Sequence, residues 1–173
     1  ITNIKSLINT DTDSQYKIGE KLNYSLEFEV IKGTTENVEL KASLPDGVKY
    51  LSSNITPDGT GDNDFSVSKP SANSTGDLSW DFGIIKNTSD TNTIKVDFEV
   101  QIMNSTANTA GQNKKISTQL VYDTAASIDK TTNQKDTTFT IKEPEIEISK
   151  SYPEGNYDAG DTLTYTLELY HPD

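Results

Sequence analysis

From Lys21 to Val30 the chain reads K-L-N-Y-S-L-E-F-E-V, and every second residue is apolar. Leu22, Tyr24, Leu26, Phe28 and Val30 share one face, while Lys21, Asn23, Ser25, Glu27 and Glu29 share the other. A period of two is that of a strand buried on one side and wet on the other. The pattern returns at Val38, Leu40, Ala42 and Leu44, at Leu78, Trp80, Phe82 and Ile84, and at Ile94, Val96, Phe98, Val100 and Ile102. Ile116, Thr118, Leu120 and Tyr122 form a fifth run, and Phe139 with Ile141 a sixth. No segment shows the 3.6-residue period of a helix. The chain reads all-β.

Turn chemistry divides these runs. Lys32-Gly33-Thr34 separates the second strand from the third, and Pro45-Asp46-Gly47 closes the run that ends at Leu44. Ser53 to Asp77 is rich in Asn, Asp, Gly, Ser and Thr and reads as a long excursion; Thr124 to Lys135 reads as a polar connection. Some seven to nine short antiparallel strands with turns between them predict two packed sheets, a β-sandwich of immunoglobulin-like type.

Composition decides what such a fold can do. Mean hydropathy is −0.64, low enough to raise disorder as an alternative, but the strict alternation lets each strand bury a full face. The net charge is −12, and all 15 basic residues are lysine. Without a guanidinium fork, and with a field that repels polyanions, nucleic-acid binding and anionic-membrane binding are excluded as expectations. Cysteine is absent, which removes disulfides, thiol nucleophiles and thiolate metal sites. No apolar run is long enough to cross a bilayer, and no signal-peptide core occupies the first 20 residues, so any export signal or anchor is expected outside these residues.

The chain also repeats itself. Tyr16-Lys17-Ile18-Gly19-Glu20-Lys21-Leu22-Asn23-Tyr24-Ser25-Leu26-Glu27-Phe28 aligns with Tyr157-Asp158-Ala159-Gly160-Asp161-Thr162-Leu163-Thr164-Tyr165-Thr166-Leu167-Glu168-Leu169. Each copy follows a short strand, Ile1–Ile8 in one case and Ile146–Lys150 in the other. The boundary falls at Glu143-Pro144-Glu145. One module is therefore expected over residues 1–143, followed over 144–173 by a junction and the opening strands of a second, similar module. Two strands hold no core of their own, so 146–173 is expected to pack on a neighbour or to belong to a longer chain.

With Gly19-Glu20-Lys21-Leu22-Asn23-Tyr24, Leu44-Pro45-Asp46-Gly47 and Leu78-Ser79-Trp80-Asp81-Phe82-Gly83 in order, the chain resembles the tandem conserved-repeat, immunoglobulin-like domains of bacterial and archaeal surface and fimbrial proteins, including isopeptide-forming ones. Gly160-Asp161-Thr162-Leu163-Thr164-Tyr165 repeats the first element. The resemblance implies a spacer or stalk module in a long extracellular protein. It also implies a possible lysine–asparagine cross-link, for which Lys5 or Lys150 is the candidate amine. Asn113 lies too early to match the asparagine, and the late strand Ile116–Leu120 offers none.

Other residues are weighed on their chemistry. Asp58, Asp62 and Asp64 in D-G-T-G-D-N-D are candidate calcium ligands, with Asp11 and Asp13 a weaker pair; solvated turn residues are the competing reading. His171, the single histidine, has no triad to join. Trp80 is assigned to the core and Tyr122 to a tyrosine corner. Tyr50, Tyr152 and Tyr170 are taken as exposed. Asn23, Asn54, Asn73, Asn87 and Asn104 head Asn-x-Ser/Thr motifs, of which Asn54, Asn73 and Asn87 are placed in loops. The expectation is a non-catalytic, extracellular, cell-surface structural module whose partners are neighbouring modules. The alternatives are an adhesin domain that recognises a glycan or matrix protein through residues 53–77, and a self-assembling subunit that adds strands from 146–173 to a neighbour.

Overall fold

The computed structural model describes residues 1, 4–57, 63–124, 126–143 and 146–170. The chain divides into two compact units, Ile1–Lys142 and Glu143–Asp173. Among the described residues all regular structure is β. The first unit contains β1 (Ile4–Asn9), β2 (Gln15–Lys17), β3 (Lys21–Ser43), β4 (Val48–Thr56), β5 (Asn63–Asp64), β6 (Asp77–Ile102), β7 (Asn113–Thr124), β8 (Ser127–Thr131) and β9 (Lys135–Lys142). The second contains β10 (Glu147–Ser151) and β11 (Thr166–Tyr170).

The sandwich rests on two very long strands. Residues Lys21–Ile31 of β3 pair with Thr91–Gln101 of β6, and Gly33–Ser43 of β3 pair with Asp77–Asn87 of β6, all antiparallel. Between these stretches the pairing slips and Gly33 takes a φ of 124°. One half of the long pair carries β1 on β3 and β4 on β6. The other half carries β7 on β3 and β5 on β6, with β9 and β8 on β7 and β2 on β9. The Lys32-Gly33-Thr34 break expected from sequence is therefore a bend within one strand. Likewise, the runs at Leu78 and Ile94 are one strand, β6. A continuous strand that turns through the corner keeps its ladder paired on both sides of the bend, which a loop would not.

Asn87 secures that corner. Its side chain is 3% exposed. Its Nδ2 donates to the carbonyls of Val30 and Ser89, at 2.9 Å each, and its Oδ1 accepts from the Ser89 amide and from Asn92 Nδ2, at 3.1 Å each. Asn87 thus lies buried in β6 and not in an open loop, and its amide nitrogen is occupied. Of the other motif asparagines, Asn54 lies in β4 and Asn73 sits at a φ of 68°.

The inward faces meet in one core. Leu22, Leu26, Phe28, Val30, Leu40, Trp80, Ile94, Val96 and Val100 are all at 0% exposure, as their alternation requires. Aromatic rings bridge the halves: Trp80 meets Phe98 at 5.5 Å and Tyr50 at 5.8 Å edge-on, and Phe82 meets Phe28 at 5.7 Å edge-on. Such pairs add about 0.5–1.5 kcal/mol each beyond the area they bury. Tyr50 is thereby 2% exposed, against the expectation that it faces solvent; its hydroxyl is satisfied by Ser53 Oγ at 2.8 Å. Ile84, placed inward by its parity with Leu78, is 50% exposed, and Ile85 is buried instead. A bulge at Gly83, with φ 58°, inserts the extra residue that reverses the parity. The segment 124–135, read as a polar connection, carries β8, which closes a hairpin onto β7.

Replacing Asn87 by alanine leaves buried backbone groups of the corner unpaired. The substitution is expected to lower the unfolding free energy by about 2–4 kcal/mol, measured by urea denaturation.

Candidate functional site

Each of the three sequence elements that distinguish this chain does structural work in the fold. In the first, Gly19 takes φ 91°, a conformation that favours glycine, and Glu20 folds back so that its carboxylate accepts the Lys17 amide at 2.7 Å. The Glu20 amide donates to the Lys17 carbonyl at 3.2 Å, and the Gly19 amide ties the turn to Ile102 O at 2.9 Å. In the second element, Gly47 takes φ 85°, and a Cβ built there would lie 2.4–2.6 Å from the Asn108 side chain. Asn108 is buried, and its Nδ2 donates to the carbonyls of Gly47 and Met103 at 2.8 Å each. In the third, Trp80 Nε1 donates to Ser53 Oγ at 2.9 Å, and the Gly83 amide donates to Asp81 Oδ1 at 2.8 Å.

The turn geometry recurs in the second unit. Gly160 takes φ 105°, the Asp161 carboxylate accepts the Asp158 amide at 2.7 Å, and the Asp161 amide donates to Asp158 O at 3.1 Å. Tyr16 and Tyr157, which begin the two copies, each donate a hydroxyl hydrogen bond to a backbone carbonyl just upstream, Asp13 in one and Pro153 in the other. Strand pairing follows suit. Ile4, Ser6 and Leu7 of β1 face Phe28, Glu27 and Leu26; Ile148, Ser149 and Lys150 of β10 face Leu169, Glu168 and Leu167. The register puts Lys150 opposite the counterpart of Leu26, where the first unit has Leu7. Lys5, at the slip between Ile4 and Ser6, has no counterpart in β10.

The candidate chemistry residues are dispersed. Asp58, Asp62 and His171 lie outside the described residues. Asp64 is exposed in β5, and among the described residues no group of three or more His, Cys, Asp or Glu side chains is placed to hold a metal ion. Lys5 lies at the surface in an ion pair with Glu29. Asp11 accepts the Asn23 amide at 2.9 Å, and Asn113 Oδ1 accepts from Thr140 Oγ1 at 2.8 Å. Lys150 holds its ammonium 4.0 Å over the Tyr165 ring. Tyr122 is buried, and Tyr152 and Tyr170 are each 62% exposed.

Sequence reading missed two interior polar groups. Lys114 is 6% exposed, and its ammonium donates to the carbonyls of Asp46 at 3.0 Å and Ala107 at 2.5 Å. Its even parity with Ile116, Thr118 and Leu120 was the available signal. Asn108 carried none, because both of its partners are backbone carbonyls and one of them, that of Gly47, is 61 residues away. Two open grooves of about 520 Å³ mark the surface. One lies on the outward side of β3, β4 and β6, with Asn23, Asn54, Asp97 and Glu99 in its lining. The other lies between Asp64–Ser68 and Asp81–Lys86 and includes Phe65, Phe82 and Ile84.

No family model and no curated protein sequence matches the chain. Solved structures share its fold. BcpA, the major pilin subunit of Bacillus cereus, superposes with a TM-score of 0.55 at 10% identity over 83% of this chain and 41% of the pilin. The N-terminal domain of the Streptococcus gordonii adhesin Sgo0707 gives 0.53 at 13% identity over 77% of this chain and 31% of that structure. The chain thus spans less than half of either of these two solved structures, and at these identities the likeness is one of fold.

Gly47→Ala forces a side chain into both a positive-φ backbone and the Asn108 amide. A loss of more than about 2 kcal/mol is expected in thermal or urea unfolding, against a few tenths for alanine at an unconstrained exposed site.

Proposed function

We propose that this chain is a non-catalytic structural module of a repetitive extracellular cell-surface protein, acting as part of a stalk, surface layer or fibre with its neighbouring modules as partners. The observation that carries this reading is the turn repeated 141 residues apart with the same positive-φ glycine, the same carboxylate-to-amide bond and the same antiparallel pairing of an upstream strand, apart from the slip at Lys5. A fold shared with pilin and adhesin domains of bacterial surfaces is consistent with it.

On this reading residues 144–173 begin a second module. Ile148, Leu167 and Leu169 are 62–72% exposed, whereas Ile4, Leu26 and Phe28, which hold the corresponding places, are at most 2% exposed. A hairpin with that face uncovered is marginal in water. The test has two parts. Appending a second copy of residues 29–142 directly after Leu169 supplies the missing strands in register; a second cooperative unfolding transition is expected, and an unfolded appendage would count against the repeat. Antibodies raised against the first unit should label intact source cells without permeabilisation, and labelling only after lysis would remove the surface role.

The groove beside Phe65, Phe82 and Ile84 favours a second reading, an adhesin domain, since the long excursion supplies one of its walls, Asp64–Ser68, and β6 exposes an isoleucine at its rim. If that holds, the full chain binds members of a glycan and matrix-protein array and Ile84→Asp abolishes the signal. A pure spacer binds none.

A further inference from the structure

The incoming and outgoing ends of the first unit lie at opposite ends of the same strand segment. Ile4, near the start of β1, pairs with Phe28 of β3. Lys142, the end of β9, pairs with Lys17, which leads through the Gly19 turn into the start of β3 at Lys21. From Lys21 to Phe28 a strand rises about 20–25 Å. Tension between the two ends therefore runs along the strands.

Both contacts that hold the incoming segment then load in the same way. β1 is antiparallel to β3, and its N-terminal end is drawn toward the Phe28 side while β9 draws the body toward the Lys21 side, so β1 slides along β3. β2 and β9 form the one parallel pair of this unit among the described residues: Gln15, Tyr16 and Lys17 face Thr140, Ile141 and Lys142. Two parallel strands pulled from opposite ends also slide along one another. Sliding stretches all the bonds of a pair together, whereas pulling strands apart sideways breaks them one at a time.

Tyr16 couples the two pairs. Its ring is 4% exposed and meets Phe139 of β9 edge-on at 6.0 Å. Its hydroxyl accepts from Asn9 Nδ2, at the end of β1, at 2.6 Å and donates to Asp13 O at 2.5 Å. The Thr140 amide, donating to Ser14 O at 3.0 Å, fastens the same connection to β9. We infer that β1–β3 and β2–β9 together form a shear clamp that makes this unit a force-bearing element, with Tyr16 as the side chain that joins its two halves. The biological use of the clamp rests on the surface-module reading, but its mechanics do not.

The absence of cysteine makes site-specific attachment simple. In single-molecule stretching of the full chain, Ile1→Cys with Glu143→Cys pulls along the strands, and Lys17→Cys with Glu143→Cys peels β2 from β9. The first geometry is expected to rupture at a force at least about twofold higher, because forced unfolding reports the barrier and not the equilibrium. Tyr16→Phe should narrow that gap, whereas Val38→Ala, a core change away from both pairs, should lower stability in urea while keeping the gap. Equal forces in the two geometries overturn the clamp, as does a Tyr16→Phe effect no larger than its urea stability accounts for. Should Tyr16→Phe fail to fold, the comparison of geometries in the parent chain decides. A force difference in a protein that never labels on intact cells would leave the clamp standing and remove only its use at the surface.

Discussion

The antiparallel pairing of β3 with β6 is the constraint on which the remaining structure hangs. Both strands pass through a corner and serve as the middle of each half of the sandwich, so every other strand of the first unit takes its register from them, directly or through β7 and β9. A bend in a two-stranded ladder opens backbone donors and acceptors in the interior, where each unpaired group is costly. One buried asparagine satisfies three such groups at that point, the carbonyls of Val30 and Ser89 and the Ser89 amide, and Gly33 supplies the backbone freedom beside it. The hydrophobic core then follows almost mechanically from the alternation, with aromatic rings bridging the two faces.

That alternation made the fold class readable from Leu22–Val30 and Ile94–Ile102 alone. Where the reading failed, it failed at features that add or remove one residue from a period-two count. The bulge at Gly83 exchanges Ile84 for Ile85, and nothing local in Trp80-Asp81-Phe82-Gly83-Ile84-Ile85 says which of two adjacent isoleucines faces in. Gly33 looked like a strand end because glycine serves both turns and bends. Tyr50 looked exposed because its run is short, and its burial comes from Trp80, thirty residues downstream.

The candidate sites were less legible, for a different reason. Asp64 and Asp11 were singled out by residue type and Lys5 by the family resemblance, yet Lys5 is engaged in a surface ion pair and Asp11 in a hydrogen bond across the β1–β3 connection. Of the residues that carry the most interior polar work, Asn108 and Lys114 are ordinary in sequence, and Asn87 stood out only as the head of an Asn-x-Ser/Thr motif, which says nothing of its place in the interior. Each acts on backbone groups far along the chain: Asn87 on Val30, Asn108 on Gly47, Lys114 on Asp46. Side-chain-to-backbone bonds of that kind leave no motif, because the acceptor is a carbonyl that any residue provides.

Lys114 has a consequence for how a lineage of such modules can diversify. Its charge is held in the interior by two carbonyl oxygens rather than by a carboxylate, and those oxygens belong to two separate loops, one at Asp46 and one at Ala107. Lengthening either loop by even one residue would carry a carbonyl away and leave a buried cation short of an acceptor. This end of the sandwich is thereby closed to insertions.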